Sequence, residues 1–255
     1  YFQTENRKGD CSMLFNSYVF ILLFLPPCLT GYFGLNHFRR YSLALGFLLG
    51  MSLWFYGYFN PSYLLIIIVS IVLNYGITRL MGKTEGKTAR RVELTAALLV
   101  NFGILFYFKY FDFFISNVNS LFASQIPLRH IVLPLGISFF TFQQVSYVID
   151  AYRGQTGNYG FLQYAAYVAY FPQLIAGPIV THDELIPQFL DENRKRFQWE
   201  NFSPGLFLFT LGLAKKVLIA DCFGKVADWG FADIAGLSTV SAALVMLAYT
   251  FQIYF

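Results

Sequence analysis

The chain has 255 residues, of which 56% are hydrophobic, 20% aromatic and only 13% charged. Its mean hydropathy is +0.52. Soluble domains carry charge on about 25% of their positions, so this chain cannot cover a water-facing surface; collagen-like, disordered and disulfide-scaffold classes are excluded as well. The net charge of +4 comes from 18 Lys and Arg against 14 Asp and Glu. These cations sit between apolar runs and read as topology markers, not as a nucleic-acid face. An all-α, polytopic membrane protein is what remains.

Tyr1 to Ser12 is polar and precedes Met13. It reads as a leader, tag or disordered segment, leaving 13–255 as the membrane domain. Crossing the bilayer core takes about 20 apolar residues as helix. Leu14 to Tyr32 is such a stretch, with Pro26 and Pro27 expected to bend or break it. Leu43 to Phe59 follows, then a tight turn at Asn60-Pro61. Ser62 to Thr78 returns, and Leu94 to Ile115 is the fourth span. Arg39-Arg40 and the Arg79 to Arg91 loop fall on one side, which the positive-inside rule assigns to the cytoplasm. Asn60-Pro61 and Ser116 to Gln125 then face outward.

The second half is less regular. Leu135 to Asp150 begins after Pro134, a favourable first helical position. Phe161 to Val180 contains Pro172, Gly177 and Pro178, which a straight span would avoid. Arg153 and the Arg194 to Arg196 cluster both belong in the cytoplasm by charge. Phe161 to Val180 therefore enters and leaves on one side or lies along the interface. Non-helical backbone at membrane depth survives only when buried in protein or lining a cavity, so a cavity is expected near Pro172 to Pro178. Thr181 and Glu184 have capping-box spacing, and Pro187 limits any helix there. Ser203-Pro204 starts another apolar helix that carries Lys215-Lys216, and Ser238 to Phe255 is the last apolar run. The fold expected is a multi-helix bundle with re-entrant or interfacial helices around a central funnel.

Candidate site residues are few. Gln143, Tyr147 and Asp150 share one face of a helix with Gly136, either as the wall of a substrate path or as interhelical glue. Lys109 and Asp112 are spaced to pair. Lys215 and Lys216 suit an interfacial cationic face or attraction of a phosphate-bearing donor. Of the three histidines, only His182 has carboxylates beside it, Asp183 and Glu184, and its readings are a cap or a general base. Cys11, Cys28 and Cys222 are scattered, with no metal-ligand or disulfide pattern, so no metal site is expected. No GxSxG, HExxH, Walker or GxGxxG motif occurs.

Several ordered segments resemble one family. Leu133 to Gln143 (LPLGISFFTFQ) with Ser146, Tyr147 and Asp150 to Gly154 is similar to membrane-bound O-acyltransferases of the alginate O-acetyltransferase branch. So are Tyr170 to Ile179 (YFPQLIAGPI), Gly212 to Lys216 with Ile219 to Asp221, Met13 to Ser17, and Tyr249 to Phe255. The resemblance implies an acyltransferase that passes an acetyl group across a bacterial inner membrane for O-acetylation of an extracellular polysaccharide such as alginate. It implies acetyl-CoA or another activated acyl donor as substrate, with no bound cofactor. A periplasmic or extracellular acetyl-transferring protein is the implied partner, and the polysaccharide the final acceptor. Alternatives are D-alanyl transfer for teichoic acid and a non-enzymatic polysaccharide-export component. A transporter would more often show internal repeats, and the Pro172 to Pro178 pattern has no second copy. The family's histidine is expected in a Trp-His segment beyond Phe255. No residue here inherits the catalytic role, and the chain is expected to be the N-terminal part of the enzyme, inactive alone.

Overall fold

The computed structural model describes residues 13–174, 177 and 180–255. Most of the described residues are helical, and four helices are long and apolar enough to cross a membrane: Val19–His37, Tyr41–Phe59, Pro61–Met81 and Lys87–Phe122. Contacts divide the chain into two units, one of Met13 with Pro26–Arg196 and one of Leu14–Leu25 with Phe197–Phe255.

The first unit holds α1 (Leu25–His37, its first residue on the boundary), α2 (Tyr41–Phe59), α3 (Pro61–Met81), α4 (Lys87–Leu105) and α5 (Phe111–Phe122). It continues with α6 (Ile137–Arg153), α7 (Phe161–Ala169), α8 (Phe171–Leu174) and α9 (His182–Leu190). Its spans follow the apolar runs but exceed them. A π-helical turn at Phe106–Tyr110 joins α4 to α5, making one rod of 36 residues, about 54 Å at 1.5 Å per residue. The outward stretch expected from Ser116 is therefore helical as far as Phe122. Pro26 and Pro27 do not end the first helix. A π-helical turn at Val19–Phe24 precedes them, with Leu25 N–H reaching the Phe20 carbonyl, and the wider turn accommodates rings that a regular α-helix would reject.

Lipid tails are as apolar as leucine, so helices here gain little hydrophobic energy by associating and depend on close packing and hydrogen bonds. Met81, Ala97 and Val148 form a small core where α3, α4 and α6 meet, flanked by Ile77, Leu94 and Tyr152. Tyrosines tie down the segment between α5 and α6. Tyr56 Oη donates to the Leu135 carbonyl at 2.9 Å and Tyr63 Oη to that of Val132 at 3.1 Å. Asp112 does not pair with Lys109; its carboxylate accepts the backbone N–H groups of Arg129 and Ile131 at 2.9 and 3.0 Å. Two amides of that segment lack any other acceptor there, and this local bond takes precedence over i,i+3 pairing. Lys109 Nζ instead reaches Ser138 Oγ at 3.4 Å.

The second unit holds α10 (Trp199–Ala214), a π-helical turn at Lys215–Ala220, α11 (Asp221–Ala232) and α12 (Thr239–Tyr254). Helix α10 starts before Ser203-Pro204 and contains Pro204 as its sixth residue, where the ring removes the i→i−4 bond to the Glu200 carbonyl. Small residues on α11 let α12 approach: Gly224 faces Gln252, Gly230 faces Val245, and Ala227 is buried between them. Ser238 caps α12 by accepting from the Ser241 N–H. Lys216 is not a free cation, since its Nζ lies 2.6 Å from Asp221 Oδ1. Lys215 is exposed at the head of the π-turn. Cys28 is buried and Cys222 exposed, both as free thiols; Cys11 lies outside the described residues.

Candidate functional site: a buried aspartate–histidine pair beside a cationic cavity

Helix α6 is delimited by two glycines in the left-handed region, Gly136 at φ 68° and Gly154 at φ 74°. Gly154 closes the helix by donating to the Ala151 and Asp150 carbonyls, as a helix-terminating glycine does. Gly136 is not a polar-stripe residue. A Cβ there would collide with the Leu174 carbonyl, so it admits α8 against the start of α6. On the same side of α6, Gln143 and Tyr147 are buried and Asp150 is partly so.

Helices α7 and α8 are nine and four residues long, too short to cross a bilayer. The break between them at Tyr170 frees backbone groups at depth, and neighbours satisfy them. Phe171 N–H donates to Ser52 Oγ of α2 at 3.3 Å. Gly177 lets the chain fold back, because a Cβ there would lie 2.5 Å from Gln173 Cα and 3.1 Å from the Pro172 carbonyl. Tyr167 Oη and Gln173 Nε2 both donate to the Val180 carbonyl, at 3.2 and 3.4 Å. Pro178 lies outside the described residues.

That fold-back brings His182, the first residue of α9, against the end of α6. Its Nε2 lies 3.3 Å from Asp150 Oδ2, and the residue is 3% exposed. The Tyr147 ring meets the imidazole edge to face at 5.2 Å, with Tyr159 at 6.0 Å. The carboxylate favours a proton on Nε2. Nδ1 is buried, with no hydrogen-bond partner among the described residues. Gln173 Oε1 and Gln143 Nε2 are likewise buried and unpartnered. The capping box expected at Thr181 does not form. The Thr181 hydroxyl bonds the Asp183 carboxylate instead and holds it below the usual carboxylate range, aided by backbone N–H groups at the start of α9.

A cavity of about 300 Å³ opens beside the pair, lined by Tyr147 and Tyr159 together with Thr78, Arg79, Gly82 and Lys83. It sits where α6 ends; the cavity expected near Pro172 to Pro178 falls on a segment that lies partly outside the described residues. Arg79 is held in place by three acceptors, Tyr75 Oη at 2.8 Å, Asn158 Oδ1 at 2.8 Å and the Tyr159 carbonyl at 3.0 Å. The cavity thus carries a fixed guanidinium and the Lys83 ammonium, and Tyr147 and Tyr159 separate it from the buried imidazole. No group of three His, Cys, Asp or Glu side chains among the described residues is placed to hold a metal.

The profile of the membrane-bound O-acyltransferase family matches residues 55–255. The chain belongs to that family. Among its relatives is the peptidoglycan O-acetyltransferase of Helicobacter pylori, 39% identical over 95% of this chain and 51% of that protein. The probable alginate O-acetylase AlgI of Pseudomonas aeruginosa is 39% identical over 95% of this chain and 46% of its own length. Its namesake in Azotobacter vinelandii is 37% identical, with 95% and 48% covered. The chain therefore spans about half the length of the curated relatives it matches. No solved structure matches it.

Within this O-acyltransferase fold, sequence reasoning placed Gln143, Tyr147 and Asp150 on one face and treated His182 separately; the structure joins Tyr147, Asp150 and His182. Lys215 and Lys216 belong to the second unit. What the reading missed is Gln144, fully buried one residue from Gln143. Gln144 Nε2 donates to Ser70 Oγ at 2.9 Å, and Gln144 Oε1 accepts from Asn74 Nδ2 at 2.9 Å and Tyr164 Oη at 3.2 Å. Asn74 and Asn101 exchange amide bonds at 3.2 and 2.6 Å. This is the interhelical glue, linking α3, α4, α6 and α7. The available signal was an asparagine in the middle of each of two otherwise apolar spans.

Proposed function

We propose that this chain forms the part of an O-acetyltransferase that takes an acetyl group from an activated donor of the acetyl-CoA type and passes it toward an extracellular polysaccharide. The observation that carries this reading is the Asp150–His182 pair beside the Arg79–Lys83 cavity. Phosphate groups on the donor would be attracted to the two cations. The buried Nδ1 lone pair offers a hydrogen-bond acceptor to a hydroxyl group or water along the acyl path, the role a positioned imidazole fills in acyl transfer. The family match and the names of the relatives support the reaction class. The polymer named differs between them, alginate in one group and peptidoglycan in the other, so alginate and peptidoglycan are the two acceptors to test. A bacterial inner membrane and a periplasmic acetyl-transferring partner complete the proposal.

The test is acetyl-ester analysis of both polymers from cells with the gene deleted, restored by the wild-type gene or by Asp150→Asn. Loss of esters from one polymer on deletion, and failure of Asp150→Asn to restore them, is the expected result. Unchanged acetylation of both polymers in the deletion strain overturns the proposal.

A further inference from the structure

A second cavity, of about 140 Å³, lies apart from the Asp150–His182 site, lined by Tyr32 and Asn36 of α1, Tyr41 and Ser42 of α2, Gln163 of α7 and Lys195 after α9. Its lining is rich in donors. Asn36 is 5% exposed; its side chain interacts with the Tyr32 hydroxyl, but its Nδ2 makes no hydrogen bond of good geometry among the described residues. A buried amide nitrogen left without an acceptor is unfavourable, so the position favours whatever ligand supplies one. Lys195 Nζ is half-buried over the Tyr41 ring at 4.4 Å and donates to the Leu190 carbonyl at 2.9 Å. Among the described residues its positive charge has no carboxylate partner. The nearby carboxylate of Asp191 is paired with Arg194 at 3.5 Å. No carboxylate lines the cavity.

We infer that this cavity binds a phosphate-bearing anion, with the Lys195 ammonium and the Asn36 amide as its principal donors. The volume suits a single phosphate group and is too small for a nucleotide. Its place in the fold suggests the source. The cavity lies where α1 ends and α2 begins, beside Arg39 and Arg40, on the side that the positive-inside rule assigns to the cytoplasm. Basic pockets between membrane helices on that side accept anionic lipid headgroups. Free inorganic phosphate shares the chemistry.

The experiment uses purified full-length protein in neutral detergent and native mass spectrometry with added phosphatidylglycerol or phosphatidylcholine. Wild type is expected to retain phosphatidylglycerol at least about fivefold better than phosphatidylcholine, with Lys195→Gln and Asn36→Leu abolishing the preference and Lys195→Arg keeping it. Melting temperatures of the variants without added lipid, equal to wild type within a few degrees, show that folding is intact. A parallel titration with inorganic phosphate separates the sources. Displacement of lipid and thermal stabilisation by millimolar phosphate, in wild type but not in Lys195→Gln, identifies free phosphate; no such effect identifies the headgroup. Equal retention of the two lipids by wild type without any phosphate effect overturns the inference. So does an undiminished response in folded Lys195→Gln and Asn36→Leu.

Discussion

Gln143 and Gln144 are adjacent on α6 and both buried, at 3% and 0% exposure, yet one amide is engaged and the other is not. Gln144 belongs to a closed set in which Ser70, Asn74, Asn101 and Tyr164 satisfy one another. Gln143 faces the other way, on the side where His182 Nδ1 and Gln173 Oε1 also lack partners. A fully satisfied buried network rigidifies and specifies a packing, whereas unmatched buried polar atoms mark places where something else is meant to bind. The pair separates glue from path within a single peptide link.

The largest effect expected is on the glue. Gln144→Leu removes the bonds to Ser70, Asn74 and Tyr164 together, and at about 1 kcal/mol per lost bond the folded state loses about 3 kcal/mol. Thermal unfolding of the full-length protein in detergent should show it as a drop of several degrees. A variant as stable as wild type would break the comparison at its structural end.

At the path end, Asp150→Asn removes the carboxylate that faces His182 Nε2 at 3.3 Å while keeping the shape. A neutral amide can accept from Nε2 or donate to it, so Nδ1 is no longer held as an acceptor. Acetyl transfer in cells should fall about 100-fold, the lower range for a positioned acid–base group, with little change in melting temperature. His182→Gln should behave alike. Wild-type acetylation by both variants would assign the pair to packing alone.

Gly136→Ala tests the wall common to both regions. It places a side chain at φ 68° against the Leu174 carbonyl. The left-handed conformation alone costs about 1–2 kcal/mol for an L-residue, and the collision would move α8. Melting should fall by a few degrees and protease sensitivity should rise around α8.

The contrast also explains what was readable beforehand. Spans declare themselves because an apolar run of bilayer length has few other uses, and Pro172 and Gly177 foretold the broken helix at Tyr170. Span ends were harder to read: Lys87–Phe122 carries its helix past both polar flanks, because interfacial residues keep helical bonds at no cost. The Asp150–His182 pair is invisible to periodicity, since its two residues come from different helices and meet only through the fold-back after α8. Gln144 and Gln143 look alike in sequence. Only the partners that α3 and α7 bring to one of them tell the two apart.

Gln143→Leu is the smallest change and the sharpest. Among the described residues its Nε2 makes no hydrogen bond, so replacing the amide removes a desolvated donor without orphaning a partner there. Such a substitution can be neutral or slightly stabilising, and the change in unfolding free energy should stay within about 0.5 kcal/mol. Acetylation should nonetheless fall, because the amide would no longer meet the hydroxyl or water that follows the path. Stability and activity therefore move independently at Gln143 and together at Gln144. A loss of stability at Gln143 as large as that of Gln144→Leu would mean that the two amides do one job, and the division between glue and path would have to be redrawn along a different face of α6.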